Sequence, residues 1–271
     1  AHSLVEDFPG EILYKRMSTA LRNCGRDIMF SACNWGNDDV YKWIRESGAH
    51  LFRSTGDIQD NWESIKRLAL SQIGNECYGG NFCHNDIDML VVGMHGGSNN
   101  EWINSTEQGV NVIADSGETM PKLGGCTDEE YRTHFTIWAF FNSPLMIGCD
   151  IREMSDETRR ILMNDEMIRI NQDPLCRQPY KVKNHAWNDK VLIYVKALAD
   201  GDLAIGMFNL SDEKSRAAMN LDEIGLPFST GRTLELTEVW TGDTLRARNA
   251  SLTAELEPFA SKVYRAKVVK L

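Results

Sequence analysis

The spacing of apolar residues changes once along the chain, near Pro179, and this change constrains the fold more than any other feature. Before it, apolar stripes at helical spacing alternate with short apolar runs, as in β/α units that build a parallel sheet. After it, we predict short strands over 191–195, 203–209, 234–240 and 261–265. They are separated by turns rich in Asn, Asp and Gly, which is typical of antiparallel strands. We therefore predict an α/β domain over residues 1–178 and an antiparallel β-sandwich over residues 179–271.

The first domain divides into about four β/α units. We predict helices over about 10–23, 40–47, 60–69, 128–141 and 155–162, and strands over 28–33, 51–53, 89–92 and 144–147. Asp60 is predicted to cap the third helix and Ser155 the last. The polar segment from Gly93 to Cys126 is long for a connection, which favours a functional lid or a mobile loop. Alternation alone does not distinguish a closed barrel from a doubly wound sheet.

Composition excludes several classes of function. The 271 residues carry a net charge of -10 with interspersed signs, which disfavours nucleic acid and anionic membranes as partners. No apolar run approaches the roughly 18 residues of a membrane helix. The seven cysteines are an odd number without a Cys-x-x-Cys pair, so we expect a reducing, cytoplasmic location and no structural zinc.

Acidic residues follow the predicted strands. Asp57, the Asp86-x-Asp88 pair and Asp173 stand where the strands should end, at the edge where α/β proteins hold their substrates. Such acids suggest a sugar-cleaving site. A lone Asp after a strand is more often a cap or turn residue, and we interpret Asp86 and the strand-end turn around Asp173 as structural. Trp138 fits core spacing.

Several motifs occur in a fixed order and together identify a family. They are Cys33-Asn34-Trp35-Gly36, Arg53 four residues before Asp57, Asn85-Asp86-x-Asp88-Met89-Leu90, the segment 127–135, and Ile170-Asn171-Gln172-Asp173-Pro174-Leu175. This set resembles glycoside hydrolase family 27, the retaining α-galactosidases and α-N-acetylgalactosaminidases. The resemblance runs through nearly the whole chain. It implies the second half of a (β/α)₈ TIM barrel followed by a C-terminal β-sandwich, acting without metal or organic cofactor.

The resemblance also implies roles for single residues. Asp57 matches the general acid/base, one of the two carboxyl groups that retaining glycosidases need. Arg53 and Asp88 match residues that bind the sugar, and Met89 matches a residue that lines the pocket.

A second group of matches forms the pocket wall. By the resemblance, Cys33 and Trp35 match residues of the family that line this wall. Trp35 suits an apolar sugar face. Asn34 replaces the Glu that commonly stands between them and helps recognise the sugar near its 2-position. This replacement leaves the choice between galactose and N-acetylgalactosamine open.

The family's nucleophile lies in a Tyr-x-Lys-x-Asp-x-Cys motif, and no segment of this sequence matches it. We therefore expect a further half barrel on the order of 120 to 150 residues, and little or no activity of this chain alone. The expected substrate is an α-galactoside oligosaccharide or glycoconjugate. A half barrel exposes two sheet edges, so the missing half or a second copy is an expected partner. Another specificity of the family and a non-catalytic carbohydrate-binding or assembly fragment are the alternatives.

Overall fold

A computed structural model describes residues 8–96 and 125–271. Its first domain contains a parallel sheet in the order β1-β2-β3, flanked by helices. The elements are α1 (Gly10–Asn23), β1 (Ser31–Ala32), α2 (Val40–Ser47), β2 (Leu51–Arg53), α3 (Trp62–Leu70), β3 (His84–Asp86), α4 (Asp128–Phe140), α5 (Asp156–Leu162) and α6 (Asp165–Asn171). The greater part of the predicted Gly93–Cys126 loop lies outside the described residues.

The helix ends follow local chemistry. The side chain of Thr127 accepts a hydrogen bond from the backbone of Glu130, whose carboxylate returns one to the backbone of Thr127, a complete capping box for α4. Ser155 caps α5, as predicted. The prediction for Asp60 was wrong, because Asn61 caps α3. Asp60 is instead fully buried.

Two predicted strands were misplaced. Residues 89–92 do not form a strand, and the strand of this unit is β3, five residues earlier. Asp88 has φ +98°, which breaks the extended backbone, and the apolar run beyond it is buried as an irregular segment. A short apolar run does not reveal this by itself. Residues 144–147 do not form a strand either. Within them, Ile147 alone takes part in β pairing, through one isolated parallel bridge to Leu90.

The turn around Asp173 was also misplaced, since it follows α6 and not a strand. Its structural role is supported by two backbone contacts. The carboxylate of Asp173 accepts hydrogen bonds from the backbone N–H groups of Leu175 and Ala199. The turn thereby joins α6 to the second domain.

The second domain is antiparallel. Its strands are β4 (Tyr180–Val182), β5 (Val191–Ala197), β6 (Leu203–Asn209), β7 (Ser215–Asn220), β8 (Arg232–Glu238), β9 (Thr244–Arg246), β10 (Ser251–Leu256) and β11 (Ser261–Lys270). A six-stranded sheet in the order β4-β5-β6-β11-β8-β9 faces a two-stranded sheet of β10 and β7. Alternate residues such as Ile193, Ile205 and Leu236 fill the core between them.

The two domains share a hydrophobic core. Trp138 and Phe140 of α4 pack in the same cluster as Tyr194 of β5 and Phe208 of β6. Lys196 of β5 is completely buried at this junction. The parallel sheet is therefore held against the sandwich by apolar packing and by a buried cation.

The helix α1 is an exception to the burial pattern. Its predicted apolar stripe includes Met17, which is 52% exposed, and Ser18 is the only buried residue of this helix.

In the described part of the chain, no helix is long and apolar enough to cross a membrane. All seven cysteines are free thiols.

Candidate active site

A bridging guanidinium forms the centre of the strand-end site. Arg53 is the last residue of β2, and its Nη2 lies 3.0 Å from Oδ1 of Asp57. Its Nη1 lies 2.9 Å from Oδ1 of Asp88, which follows β3. The strand pairing explains this meeting, because Arg53 lies opposite Asp86 in the parallel register and both strands end at one edge.

The two carboxylates differ sharply in exposure. The side chain of Asp57 is 68% exposed, whereas those of Arg53 and Asp88 are 12% and 11% exposed. The Asp57 carboxylate is therefore free to meet a ligand while one of its oxygens is held by a cation. An accessible carboxyl group at this position can exchange a proton with a bound substrate.

The carboxylate of Asp88 is largely occupied by the protein itself. Oδ2 accepts a hydrogen bond from the backbone N–H of Ile58 at 2.7 Å, and Oδ1 accepts one from Met89 N–H at 2.7 Å in addition to the Arg53 contact. Its predicted sugar contact has to use the remaining acceptor capacity of Oδ2. Asp88 thus connects β3 to the residue directly after Asp57.

The turn after β1 packs against the end of β2. The backbone N–H of Gly36 donates to the carbonyl of Arg53 at 3.2 Å. Gly36 has φ +79°, and a Cβ at this position would collide with the carbonyl oxygen of Ser54. Glycine is therefore required for this close approach. The contact brings the segment from Cys33 to Trp35 to the edge that carries Arg53.

The predicted wall residues are accessible. Cys33 is exposed, Trp35 is 50% exposed, and Met89 is 36% exposed. The amide oxygen of Asn34 is buried and has no hydrogen-bond partner within the described residues. The structure thus places a thiol, an indole and a thioether on accessible surface beside an amide with unused capacity.

Two residues that support this site were interpreted as structural or core residues. The indole N–H of Trp138, on α4, donates to the backbone carbonyl of Asp88 at 2.6 Å. The carboxylate of Asp86 accepts from the backbone N–H of Asp88 at 2.9 Å. Burial raises the pKa of Asp86 above its ordinary value. No local signal in the sequence connects Trp138 to Asp88, since the two residues are 50 positions apart.

A further connection involves Asp60. Its carboxylate accepts hydrogen bonds from the hydroxyl of Tyr131 and from the backbone N–H of Gly96, and its carbonyl accepts one from Gly125. Burial, followed by the hydrogen bond to Asp60, raises the pKa of Tyr131. Asp60 therefore anchors both described ends that flank residues 97–124.

Among the described residues, no group of three His, Cys, Asp or Glu side chains could hold a metal ion.

Comparison with known proteins gives two family matches that divide the chain in the same way as its strand pattern. Residues 8–116 and 113–173 match the family described as alpha galactosidase A. Residues 188–266 match the alpha galactosidase C-terminal beta sandwich domain. Together the two matches cover the strand-end site and most of the antiparallel domain.

Individual relatives agree with these matches. An α-galactosidase of Cyamopsis tetragonoloba is 34% identical over 251 residues, which are 93% of this chain and 53% of that protein. The structure of α-galactosidase I from Mortierella vinacea superposes with a TM-score of 0.74 at 22% identity, covering 94% of this chain and 62% of the other. A family 27 β-L-arabinopyranosidase from Geobacillus stearothermophilus gives 0.75 at 23%, covering 95% and 54%. The chain spans about half the length of the curated relatives it matches.

Proposed function

Because this chain belongs to glycoside hydrolase family 27, the α-galactosidase family, we propose that its parent protein hydrolyses terminal α-D-galactosides with retention of configuration. The observation that carries the proposal is the geometry of Asp57, an exposed carboxylate held by Arg53 at the carboxyl edge of the parallel sheet. The Cyamopsis tetragonoloba relative is an α-galactosidase. We infer the same substrate class here.

In this proposal Asp57 is the general acid/base. Its protonated form donates a proton to the leaving glycosidic oxygen, and its carboxylate later removes a proton from water. Arg53 keeps one oxygen of Asp57 fixed, so the other oxygen presents the proton in a defined direction. The indole of Trp35 offers a face for the apolar side of the sugar ring.

Retention also requires a nucleophile, a second carboxylate about 5 Å from the first. Asp88 does not suit this role, because it is 8% exposed and its oxygens accept hydrogen bonds from backbone groups and bind Arg53. The nucleophile motif of the family has no match in these 271 residues. We propose that polypeptide outside this chain supplies the nucleophile, and that the chain alone does not complete the covalent step.

The decisive experiment compares Asp57→Asn with wild type in the full-length gene product. With an α-galactosyl oligosaccharide, the turnover of the variant should fall by a factor on the order of 10² to 10⁴, since the leaving group needs the proton. In kcat/KM, which reports the first step, an aryl galactoside with an acidic phenol should lose much less, because its leaving group needs no proton. Asp212→Asn, at an exposed position of the sandwich, is the matched control and should leave turnover unchanged.

Near-normal turnover of Asp57→Asn on both substrates would contradict the acid/base assignment. Absence of hydrolysis by the wild-type full-length protein would contradict the substrate assignment. Mixing the 271-residue chain with the remainder of the gene product tests the nucleophile proposal separately. Activity of the chain alone would contradict it.

Specificity within the family is a second question, and Asn34 is the residue that raises it. Its buried amide oxygen lacks a partner in the described residues, and in the resemblance Asn34 stands in place of a Glu that helps recognise the sugar near its 2-position. The fold neighbour from Geobacillus stearothermophilus is a β-L-arabinopyranosidase. Comparing aryl α-galactoside, α-N-acetylgalactosaminide and β-L-arabinopyranoside at equal concentration distinguishes these specificities, and the proposal expects the α-galactoside to react fastest.

A further inference from the structure

The backbone of Asp88 is held in a conformation that Asp rarely adopts. Its φ of +98° lies in the region that favours glycine, and a non-glycine residue persists there only when its surroundings hold it in place. Both backbone polar groups of this residue are engaged. Its N–H donates to Asp86 Oδ1, and its carbonyl accepts from Trp138 Nε1.

The unusual backbone directs the Asp88 side chain back across the sheet edge toward β2. There the carboxylate contacts two groups that control Asp57. One is the backbone N–H of Ile58, the next residue in the chain, and the other is the guanidinium of Arg53, which binds Asp57 directly. Asp57 is therefore restrained through its backbone and through its carboxylate, and both restraints pass through Asp88.

We propose that Asp86 and Trp138 are positioning residues for the acid/base: they hold Asp88 in its left-handed conformation, and Asp88 in turn fixes Asp57 through Ile58 and Arg53. The inference rests on the proposed function. Neither residue needs to touch the substrate. Trp138 is completely buried on α4, and its polar contact with the site is the hydrogen bond to Asp88.

The charges around Asp57 give this proposal a specific signature. The charged groups at the site are Arg53, Asp86 and Asp88, and one cation is shared between Asp57 and Asp88. If Asp88 withdraws, a nearby negative charge is removed and Arg53 interacts with Asp57 alone. The position of Asp57 relative to the leaving group should then change. A glycoside whose leaving group needs a proton should therefore lose more kcat/KM than an aryl galactoside with an acidic phenol.

The experiment compares Trp138→Phe with Trp62→Phe in the full-length protein. Both tryptophans are buried, but the indole N–H of Trp62 has no partner within the described residues, so this variant controls for the change in volume. We expect kcat/KM of Trp138→Phe to fall by roughly 10- to 100-fold, because small misplacements of catalytic groups have effects of that order. The loss on an α-galactosyl oligosaccharide should exceed the loss on an aryl galactoside with an acidic phenol in Trp138→Phe only.

A second pair of variants tests the other contact. Asp86→Asn retains an oxygen that accepts the Asp88 N–H, whereas Asp86→Ala does not. We expect Asp86→Asn to retain kcat/KM within about threefold and Asp86→Ala to lose it by about the same factor as Trp138→Phe. Equal losses in both Asp86 variants would overturn the positioning role of this hydrogen bond.

Hydrogen exchange of the Ile58 amide separates this inference from the proposed function. The amide should exchange faster in Trp138→Phe and Asp86→Ala than in wild type, whichever glycoside the protein cleaves. Unchanged Ile58 exchange and equal losses of kcat/KM on the two substrates in Trp138→Phe would overturn the inference even if Asp57 proves to be the acid/base. Faster Ile58 exchange in the two variants, together with a wild-type protein that does not cleave galactosides, would leave the inference supported and the substrate assignment wrong.

Discussion

Arg53 and Lys196 are both cations largely removed from solvent, and they meet different partners. Arg53 binds two carboxylates, and one of them, Asp57, is 68% exposed. Lys196 lies in a closed environment where its Nζ donates to the carbonyl oxygens of Ile170 at 2.5 Å and Phe140 at 3.3 Å. These carbonyls belong to the last turns of α6 and α4.

The difference separates a site from a structural junction. The Arg53 network leaves one ionisable group open to a ligand, whereas Lys196 satisfies helix carbonyls that lack intrahelical partners. Arg265 reinforces the junction from β11 by binding Glu166 of α6, at 2.6 Å, together with Asp200 and Asp202 of the sandwich. We therefore expect changes at Arg53 to affect catalysis and changes at Lys196 to affect unfolding.

Among the variants that test this comparison, Lys196→Ala should change the free energy of unfolding most. The variant leaves two buried carbonyls without their donor and creates a cavity, so the free energy of unfolding should fall by about 3 to 4 kcal/mol. Chemical denaturation of the full-length protein measures this loss. The kcat/KM of the folded variant should remain unchanged.

Lys214→Ala is the matched control for that experiment. Lys214 pairs with Glu257 on exposed surface of the second domain, and exposed pairs contribute little to stability. A loss of kcat/KM in Lys196→Ala comparable to that in Asp57→Asn would contradict the separation between the junction and the site.

The pH dependence of unfolding gives a second, somewhat smaller effect. Burial lowers the pKa of Lys196 to about 7, while the charges of Asp173 and Cys176 act in the opposite direction. Between about pH 7 and 10.5 the unfolded chain holds a proton that the folded chain has released, so stability should rise with pH in this window. The contribution is up to ~1.4 kcal/mol per pH unit.

Lys196→Met removes the titrating group and retains most of the volume. The difference in unfolding free energy between wild type and Lys196→Met, measured from pH 7 to 9, should therefore increase with pH. A constant difference would mean that Lys196 keeps an ordinary pKa and that its burial is less complete in solution.

A third effect acts at low pH through His134. This side chain is completely buried, and its pKa is lowered to about 3 by burial. Its neutral ring accepts a hydrogen bond from the backbone N–H of Val91. The unfolded chain takes up a proton below about pH 6.5, so stability should fall as pH decreases from there toward 3. Denaturation of His134→Gln between pH 6.5 and 4.5 should show a shallower loss than wild type.

The sequence predicted local features better than the contacts between distant segments. Helices α1 and α2 and strands β2 and β6 were predicted with correct or nearly correct bounds, because their apolar spacing and glycine ends are local signals. The two-part fold followed from the change in apolar spacing near Pro179, and the family followed from the order of motifs. The strand in the third unit was misplaced, because a buried irregular segment and a buried strand carry the same apolar run.

The residues that hold the site in place could not be predicted from the sequence, for a physical reason. Trp138 and Asp88 meet only because α4 packs against the end of β3, and a tryptophan at core spacing is indistinguishable from one whose N–H holds a backbone carbonyl. Strands β4, β7, β9 and β10 were also missed. β4 and β9 have three residues each, and the buried positions of β7 and β10 include small Ala side chains, so their apolar signal is weak.

The smallest predicted effect on stability concerns the glycine that joins β1 to the site. Gly36→Ala introduces a Cβ at φ +79° against the carbonyl of Ser54, whereas Gly201→Ala introduces one at φ +88° into open space in a sandwich turn. Backbone strain alone should cost about 1 kcal/mol at Gly201, and the added collision should raise this to about 2 kcal/mol at Gly36. Denaturation of both variants measures the difference.

Because Gly36 contacts the carbonyl of Arg53, Gly36→Ala should also reduce kcat/KM, and Gly201→Ala should not. Equal losses of kcat/KM in the two variants would show that the turn after β1 does not position Arg53.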